Sequence, residues 1–150
     1  SSAIQRGVRL DVGHGSASFS FEVAKIAISK GILPHTISSD IYCRNRINGP
    51  VHSLGVVMSK FLSIGMSLPQ VIDCVTAHAA QGLRLTNKGR LSVGLDGDLT
   101  IFAQRRQPTV FTDSENQTLQ GEQLLVALAA VRAGKWFTTE QGKQEHVFDL

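Results

Sequence analysis

The amino-acid sequence predicts an α/β fold in which parallel β/α units are followed by a smaller antiparallel β region. In the first half, short β-branched segments alternate with amphipathic helical segments, an order that is typical of parallel β/α architecture. From Gly89 onward the pattern changes to short strand-like segments bounded by Gly, Pro and Asp. The change places a boundary near residues 87–89, so we predict one unit at 1–88 and a second at 89–150.

The first β/α unit begins with an alternating segment at residues 7–12, which predicts a short strand. A glycine turn at residues 13–15 ends it. Apolar residues at helical spacing then predict a helix with Ser16 or Ser18 as its N-cap and Gly31 as its stop.

The second unit begins with a β-branched segment at residues 35–40, which predicts a strand that ends near Asp40. An irregular loop is expected through Gly49 and Pro50. Two amphipathic helices follow. The first carries apolar residues between Leu54 and Leu62 and is closed by Gly65, and the second is predicted from Ser67, as N-cap, to Leu85.

Three strand-like pieces are predicted in the second half, at residues 90–94, 99–102 and 109–112. The segment at 124–133 is ambiguous. Leu and Ala favour a helix that Gly134 would end, whereas the neighbouring β pieces would also accept a strand over residues 131–137. Local propensity predicts the helix.

Composition excludes several classes of protein. The chain has 150 residues, 42% of them apolar, a net charge of +3 and 6% aromatic residues. No apolar run approaches the ~20 residues of a membrane-spanning helix, so we expect a soluble, cytoplasmic protein without a membrane partner. The scattered basic residues and scarce aromatics give no nucleic-acid-binding pattern. Cys43 and Cys74 form no CxxC motif and are expected to be reduced thiols.

Two candidate sites follow the predicted strands. Carboxyl ends of parallel strands meet on one face, where ligands bind in such folds, so His14 and Asp40 are expected to share a rim. Asp40 is placed where a metal ligand or general base would be, although a turn or N-cap aspartate fits the same spacing. His14 is placed in an active site by one interpretation and in a simple tight turn by the other.

Other catalytic motifs are missing from the sequence. Residues 13–15 lack the third glycine of GxGxxG and no Gly-Lys-Ser/Thr follows, which argues against a nucleotide-binding domain. No GxSxG nucleophile motif is present. The remaining histidines show no metal-ligand spacing and are expected on the surface or in loops: His35, His52, His78 and His146.

Several segments, taken in order, resemble the amidohydrolase superfamily, and in particular its amidohydrolase/deacetylase branch, which is similar to dihydroorotase-like enzymes. The segments are residues 11–21 (DVGHGSASFSF), 36–40 (TISSD), 49–51 (GPV), 58–66 (MSKFLSIGM), 75–76 (VT) and 89–102 (GRLSVGLDGDLTIF). The resemblance implies that residues 1–88 are the last two β/α units of a (β/α)8 TIM-type barrel. It implies that residues 89–150 are part of a small β-sandwich domain, with a strand at 131–137.

The resemblance also implies a function. It implies a metal-dependent hydrolase of non-peptide C–N bonds, an N-acyl amino acid deacetylase or a cyclic amidase, whose partner is a small-molecule amide. Asp40 matches the carboxylate that binds the metal and moves protons, while His14, Gly49 and Pro50 match the substrate-binding rim. One or two divalent ions are implied; zinc suits these ligands, as do manganese and iron. A homo-oligomer is compatible with the family, but no residue fixes its order.

Other parts of the family pattern have no counterpart in the sequence. The HxH pair of the first barrel strand, the bridging lysine and two further histidines are missing, and a complete barrel takes about 250 residues. We therefore expect a C-terminal portion of an enzyme that is inactive alone. The alternative is a noncatalytic binding or assembly subunit that retains the end of the barrel.

Overall fold

The computed structural model describes residues 2–145, which form two sheets connected by helices. β1 and β2 make a parallel pair, and β3, β4 and β5 make an antiparallel sheet in that order. The helices are α1 (Ser2–Gln5), α2 (Phe21–Ser29), α3 (Cys43–Asn48), α4 (Leu54–Ser63), α5 (Leu68–Val75), α6 (Ala77–Gly82) and α7 (Glu140–Gln144). The strands are β1 (Asp11–Gly13), β2 (Thr36–Ser38), β3 (Leu99–Thr112), β4 (Thr118–Arg132) and β5 (Lys135–Thr138).

The parallel pair confirms the predicted β/α order. Val12 pairs with Ile37 in a short parallel ladder, and α2 connects the two strands. Both strands are shorter than the alternating segments that predicted them. Because the described residues contribute two parallel strands, the α/β class is confirmed while the closed barrel stays a prediction.

Helix α2 begins later than predicted. Its first residue is Phe21, with an extended Ser20 before it, so the prediction of Ser16 or Ser18 as N-cap is wrong. The helix starts where the backbone N–H of Phe21 donates to the carboxylate of Asp113, a partner far along the chain. Its predicted end is confirmed, since Gly31 follows with a φ of +72°.

The helices after β2 are partly as predicted. Ser53 caps α4, and Ser67 forms a capping box with Gln70 at the start of α5. The loop expected at residues 41–48 contains α3. The helix predicted as continuous to Leu85 breaks at Thr76, whose φ of −127° and ψ of −91° are not helical, and α6 continues from Ala77.

The antiparallel sheet differs from the elements predicted for residues 89–150. The pieces predicted at 99–102 and 109–112 are the ends of one 14-residue strand, β3, while residues 90–94 form no strand. The helix predicted at 124–133 is wrong, because that segment belongs to β4. β4 pairs with β3 along most of its length and with β5 over residues 129–132, and this pairing overrides the helix propensity of Leu and Ala. The strand that the resemblance implied at 131–137 is divided by a hairpin turn, since residues 131–132 end β4 and β5 begins at Lys135.

A single buried cluster joins both halves of the chain. Val57 and Phe61 of α4 pack in the same cluster as Phe111 of β3 and Leu125 of β4. α4 approaches β4 closely, since a Cβ added to Gly55 would lie 2.7 Å from the carbonyl oxygen of Leu125. The core thus crosses residues 87–89, and the division into units at that point stays a prediction.

The described helices are short. The longest of them, α4, has 10 residues. Within residues 2–145, none is long and apolar enough to cross a bilayer.

Candidate functional site

The segments that follow β1 and β2 lie side by side and form a rim, defined here as residues 14–15 and 38–40. The backbone N–H of His14 donates to the carbonyl oxygen of Ser38 at 3.1 Å, and that of Gly15 donates to Ser39 at 3.2 Å. The parallel pairing therefore continues past the strands. It brings the two sequence-predicted segments together at the carboxyl ends of the strands, where parallel α/β folds bind ligands.

Asp40 is the exposed carboxylate of this rim. Its backbone has a φ of +46°, an uncommon conformation for a residue other than glycine. The buried side chain of Asn45 fixes the turn, donating to the carbonyl oxygen of Asp40 at 3.0 Å and accepting from the N–H of Tyr42 at 2.9 Å. The turn leaves the Asp40 side chain exposed at the end of β2.

Gly15 lies directly against the Asp40 carboxylate. A Cβ added to Gly15 would lie 2.6 Å from Asp40 Oδ2, and the φ of Gly15 is +51°. Only glycine meets both constraints without displacement of its neighbour. The Asp40 carboxylate therefore lies so close to the Gly15 backbone that a side chain at position 15 would overlap it.

His14 is wholly buried, whereas a substrate contact would need an accessible ring. Its Nδ1 lies 2.9 Å from the carbonyl oxygen of Gly15, and its Nε2 lies 2.7 Å from Lys60 Nζ. A carbonyl only accepts and an ammonium only donates, so the ring is neutral with its proton on Nδ1. Burial lowers the pKa of His14, and the charge of Lys60 lowers it further.

Lys60 is a buried cation on α4, 1% exposed. Besides His14, its Nζ contacts the carbonyl oxygens of Pro50 at 2.9 Å and Thr112 at 2.6 Å. Three acceptors thus match the three N–H groups of an ammonium. Burial lowers the pKa of Lys60 to about 8, an effect that the charge of Asp113 opposes.

Asp113 connects the antiparallel sheet to the start of α2. Its Oδ2 accepts from the N–H of Phe21, and its Oδ1 accepts from Glu115 and Gln117, each at 2.9 Å. Ser114 adds to the connection by donating to the carbonyl oxygen of His14 at 3.3 Å. The segment after β3 therefore packs directly beneath the rim.

Gly49 and Pro50 line a cavity of about 360 Å³ between the loop after α3 and strand β3. The peptide bond between them is cis, and Gly49 has a φ of +77°. Lys60 reaches this cavity too, but neither Asp40 nor His14 is among the described residues that line it. Of the four sequence-predicted residues, His14 and Asp40 thus lie at the rim, while Gly49 and Pro50 lie at the cavity. Lys60 contacts His14 and also lines the cavity.

The other histidines lie away from the rim. His52 is exposed in a loop, as predicted. His35 and His78 are half-buried and stack with ring centroids 4.4 Å apart at the start of β2, on the opposite end of that strand from Asp40. His146 lies outside the described residues. Cys43 and Cys74 are both free thiols, as predicted.

Metal coordination needs several ligands close together, and structural or catalytic zinc sites use three or four protein groups. In the part of the chain from residue 2 to residue 145, no three His, Cys, Asp or Glu side chains are grouped so as to hold a metal ion. Asp40 offers a single carboxylate. The described residues therefore do not fit a complete metal site.

Comparison with known proteins shows what this arrangement is similar to. No protein-family profile matches the chain. It is 39% identical over 133 residues to a deacetylase from Enterococcus faecalis, a match that covers 89% of this chain and 36% of that protein. A crystal structure of an adenine deaminase superposes with a TM-score of 0.90 at 38% identity, covering 92% of this chain and 38% of that one. The chain belongs to the amidohydrolase superfamily. A crystal structure of a dihydroorotase agrees with this assignment, with a TM-score of 0.84 at 37% identity over 92% of this chain and 37% of that one.

The amidohydrolase chain spans a little over a third of the length of these relatives. The match falls on their C-terminal part. The names of the relatives describe hydrolytic reactions at non-peptide C–N bonds, with different substrates. The similarity therefore gives the general chemistry of the amidohydrolase relatives and does not select one substrate.

Sequence reasoning missed two buried charged residues near the rim, Lys60 and Asp113. Lys60 belongs to an amphipathic helix, where a lysine is normally taken as solvent-facing. A signal was present, because Ser59 and Lys60 are the two polar residues in an apolar run from Val56 to Leu62. Asp113 follows a strand and gives no local sign of its partner in α2.

Proposed function

We propose that this chain is the C-terminal portion of a metal-dependent hydrolase that cleaves a non-peptide C–N bond, in which Asp40 is a metal ligand and proton carrier. The observation that supports the proposal is the position of Asp40, exposed at the carboxyl end of a parallel strand and backed by Gly15. The similarity to deacetylases, a deaminase and a dihydroorotase supports the proposed class of reaction. An N-acyl amino acid or a cyclic amide is the proposed small-molecule substrate.

A carboxylate at this place has a defined chemical role. Water attacks the carbonyl carbon of the amide, a C–O bond forms, and the proton released by that water passes to Asp40. The proton then passes from Asp40 to the departing nitrogen as the C–N bond breaks. A divalent metal, zinc in our proposal, supplies Lewis acidity and a lowered water pKa when it is bound. Residues 2–145 contain no group of three His, Cys, Asp or Glu side chains that could hold this ion, so no step is assigned to other ligands.

His14, Gly49 and Pro50 have different parts in this proposal. Gly49 and Pro50 border the cavity next to α4 and are proposed to shape the substrate side of the mouth. The ring of His14 contacts substrate only if the rim opens, because both of its nitrogens have partners inside the protein.

The proposal is tested on the full-length protein, purified with zinc or manganese. N-acetyl amino acids, a cyclic amide and adenine are offered as substrates, because they cover the reactions of the three similar proteins. Asp40→Asn is expected to lower kcat by about 10²- to 10⁴-fold, the usual contribution of a positioned acid or base. Asp73→Asn, an exposed carboxylate on α5, is the matched control.

Two outcomes contradict the proposal. Retained activity in Asp40→Asn removes the role assigned to that carboxylate. A wild-type protein that hydrolyses none of the substrates with either metal, yet binds one of them or a protein partner, favours the noncatalytic subunit instead.

A further inference from the structure

Lys60 joins three parts of the chain that are distant in sequence. Its ammonium contacts the ring of His14 after β1, the carbonyl of Pro50 after α3 and the carbonyl of Thr112 at the end of β3. The separations along the chain are 46, 10 and 52 residues. A buried charge without partners would be strongly destabilising, so the three contacts explain why this lysine is tolerated inside the core.

The contact with His14 is also connected to the catalytic carboxylate of the proposed function. His14 and Gly15 donate backbone hydrogen bonds to Ser38 and Ser39, the two residues before Asp40. Gly15 then lies against the Asp40 side chain. A shift of the His14 ring would therefore move the backbone that limits where the Asp40 carboxylate can lie.

The contact with Pro50 acts on the other side of Asp40. α3 begins three residues after Asp40, and its Asn45 side chain fixes the Asp40 turn. The same helix ends at Asn48, next to the segment whose Pro50 carbonyl accepts from Lys60. Lys60 therefore restrains the segments that reach Asp40 from both directions.

We propose that Lys60 is a positioning residue, whose buried ammonium fixes the neutral Nδ1-protonated ring of His14 and the Pro50 segment and thereby fixes the rim around Asp40. This inference rests on the proposed function for the statement that the rim is catalytic. The link from Lys60 to His14 is independent of it. Lys60 itself touches no reacting atom.

The titratable groups around the pair are few. Asp113 is the acidic group whose charge acts on both Lys60 and His14. The acceptors around the Lys60 ammonium are the His14 ring and the carbonyl oxygens of Pro50 and Thr112, so Asp113 acts on it through charge alone. The donor geometry therefore makes the His14 ring the group that reports whether the Lys60 ammonium is in place.

The test uses ¹⁵N-histidine NMR of the full-length protein, with His14→Gln to assign the ring signals. In the wild type, His14 is expected to show a protonated Nδ1 and an unprotonated Nε2 from about pH 6 to pH 7, where Lys60 is charged, with no titration near the ordinary value of about 6.5. An Nε2-protonated or doubly protonated ring in the wild type overturns the proposal without any substitution at Lys60.

The second part compares Lys60→Met with Lys25→Met, an exposed lysine on α2. Lys60→Met is expected to let His14 titrate or change tautomer and to lower kcat/KM by about 10- to 100-fold, since small displacements of a catalytic group have effects of that size. The loss is expected mainly in kcat, because the rim orients a carboxylate. Lys25→Met is expected to leave both readouts unchanged.

The outcomes separate the two proposals. An unchanged His14 signal in a folded Lys60→Met protein overturns the link, and a changed signal with unchanged kcat/KM overturns the positioning role. If the wild type hydrolyses no C–N substrate, the proposed function fails, and with it the catalytic role of the rim, while the His14 tautomer still decides the link itself. If Lys60→Met does not fold, the wild-type tautomer decides.

Discussion

The carboxylate of Asp113 caps helix α2 from the far end of β3. Its Oδ2 accepts a hydrogen bond of 2.9 Å from the backbone N–H of Phe21, which is 92 residues earlier in the chain. Ser20 stands at the N-cap position, but its side chain makes no capping hydrogen bond to the helix backbone. The antiparallel sheet therefore supplies an acceptor that a helix usually receives from its own N-cap residue.

Asp113→Ala is expected to destabilise the protein by about 3 kcal/mol, because the buried N–H of Phe21 and the part-buried N–H groups of Glu115 and Gln117 lose a charged acceptor. Equilibrium unfolding in urea measures the change. Glu115→Gln is the control, since its exposed side chain accepts only from Ser20. We expect the control within about 0.5 kcal/mol of the wild type. Equal effects of the two substitutions would contradict the capping role.

The pH dependence of stability should report the same carboxylate. Burial alone would raise the pKa of Asp113, but hydrogen bonds from Phe21, Gln117 and Glu115 and the charge of Lys60 hold it below its usual value. A lowered folded-state pKa stabilises the protein above the unfolded value of about 3.9, and the contribution is lost as the pH falls through the folded value. The difference in unfolding free energy between the wild type and Asp113→Asn should therefore shrink from pH 7 to pH 3. A constant difference would contradict this.

Gly15→Ala is expected to displace the Asp40 carboxylate. The added Cβ would lie 2.6 Å from Asp40 Oδ2, at a φ of +51°. Gly31→Ala is a matched control, because Gly31 has a φ of +72° but a Cβ added there would meet no atom within 4 Å. Both should lose about 1–2 kcal/mol through the left-handed backbone. The overlap adds little to this loss for Gly15→Ala, because Asp40 Oδ2 is the end of an exposed side chain that can turn away from the new methyl group.

Enzyme activity distinguishes Gly15→Ala from Gly31→Ala. If Asp40 has the proposed role, Gly15→Ala in the full-length protein lowers kcat while Gly31→Ala does not. Matching losses of activity in the two variants would show that the close approach to Asp40 has no effect.

Ser59→Ala should weaken the contact between α4 and β4. Ser59 Oγ donates to the carbonyl oxygen of Gly55 at 2.7 Å and accepts from the N–H of Leu125 at 2.8 Å, both in buried surroundings. Loss of the hydroxyl leaves the Leu125 N–H without that acceptor, at a cost of about 1–3 kcal/mol. Ser29→Ala is the control, because its exposed hydroxyl donates only to Ile26. Thermal unfolding of the two variants should differ clearly, and indistinguishable melting temperatures would argue against the contact.

Local sequence signals predicted the parts of the fold whose determinants are local. Ser67 caps α5 as predicted, with Gln70 three residues later completing the capping box, and Gly31 and Gly65 follow their helices with positive φ. The β4 segment was predicted wrongly because its Leu and Ala residues favour a helix in isolation. Its pairing with β3 and β5, which neither residue type encodes, decides its structure.

The candidate site likewise has features that the sequence predicts and features that it does not. Asp40 and His14 could be placed on one rim, because strand order and parallel pairing follow from the local pattern. The burial of His14 could not be predicted, since it depends on Lys60 and Phe19 packing against its ring. Contacts over such separations are products of the tertiary fold and leave no periodic trace in the sequence.

The core that crosses residues 87–89 has an evolutionary consequence. A recombination break between the halves would part Val57 and Phe61 from Phe111 and Leu125, and each product would expose apolar surface that the intact chain buries. It would also separate the Lys60 ammonium from the Thr112 carbonyl. The two halves are therefore expected to be inherited, exchanged and lost together, whatever reaction the rim comes to catalyse.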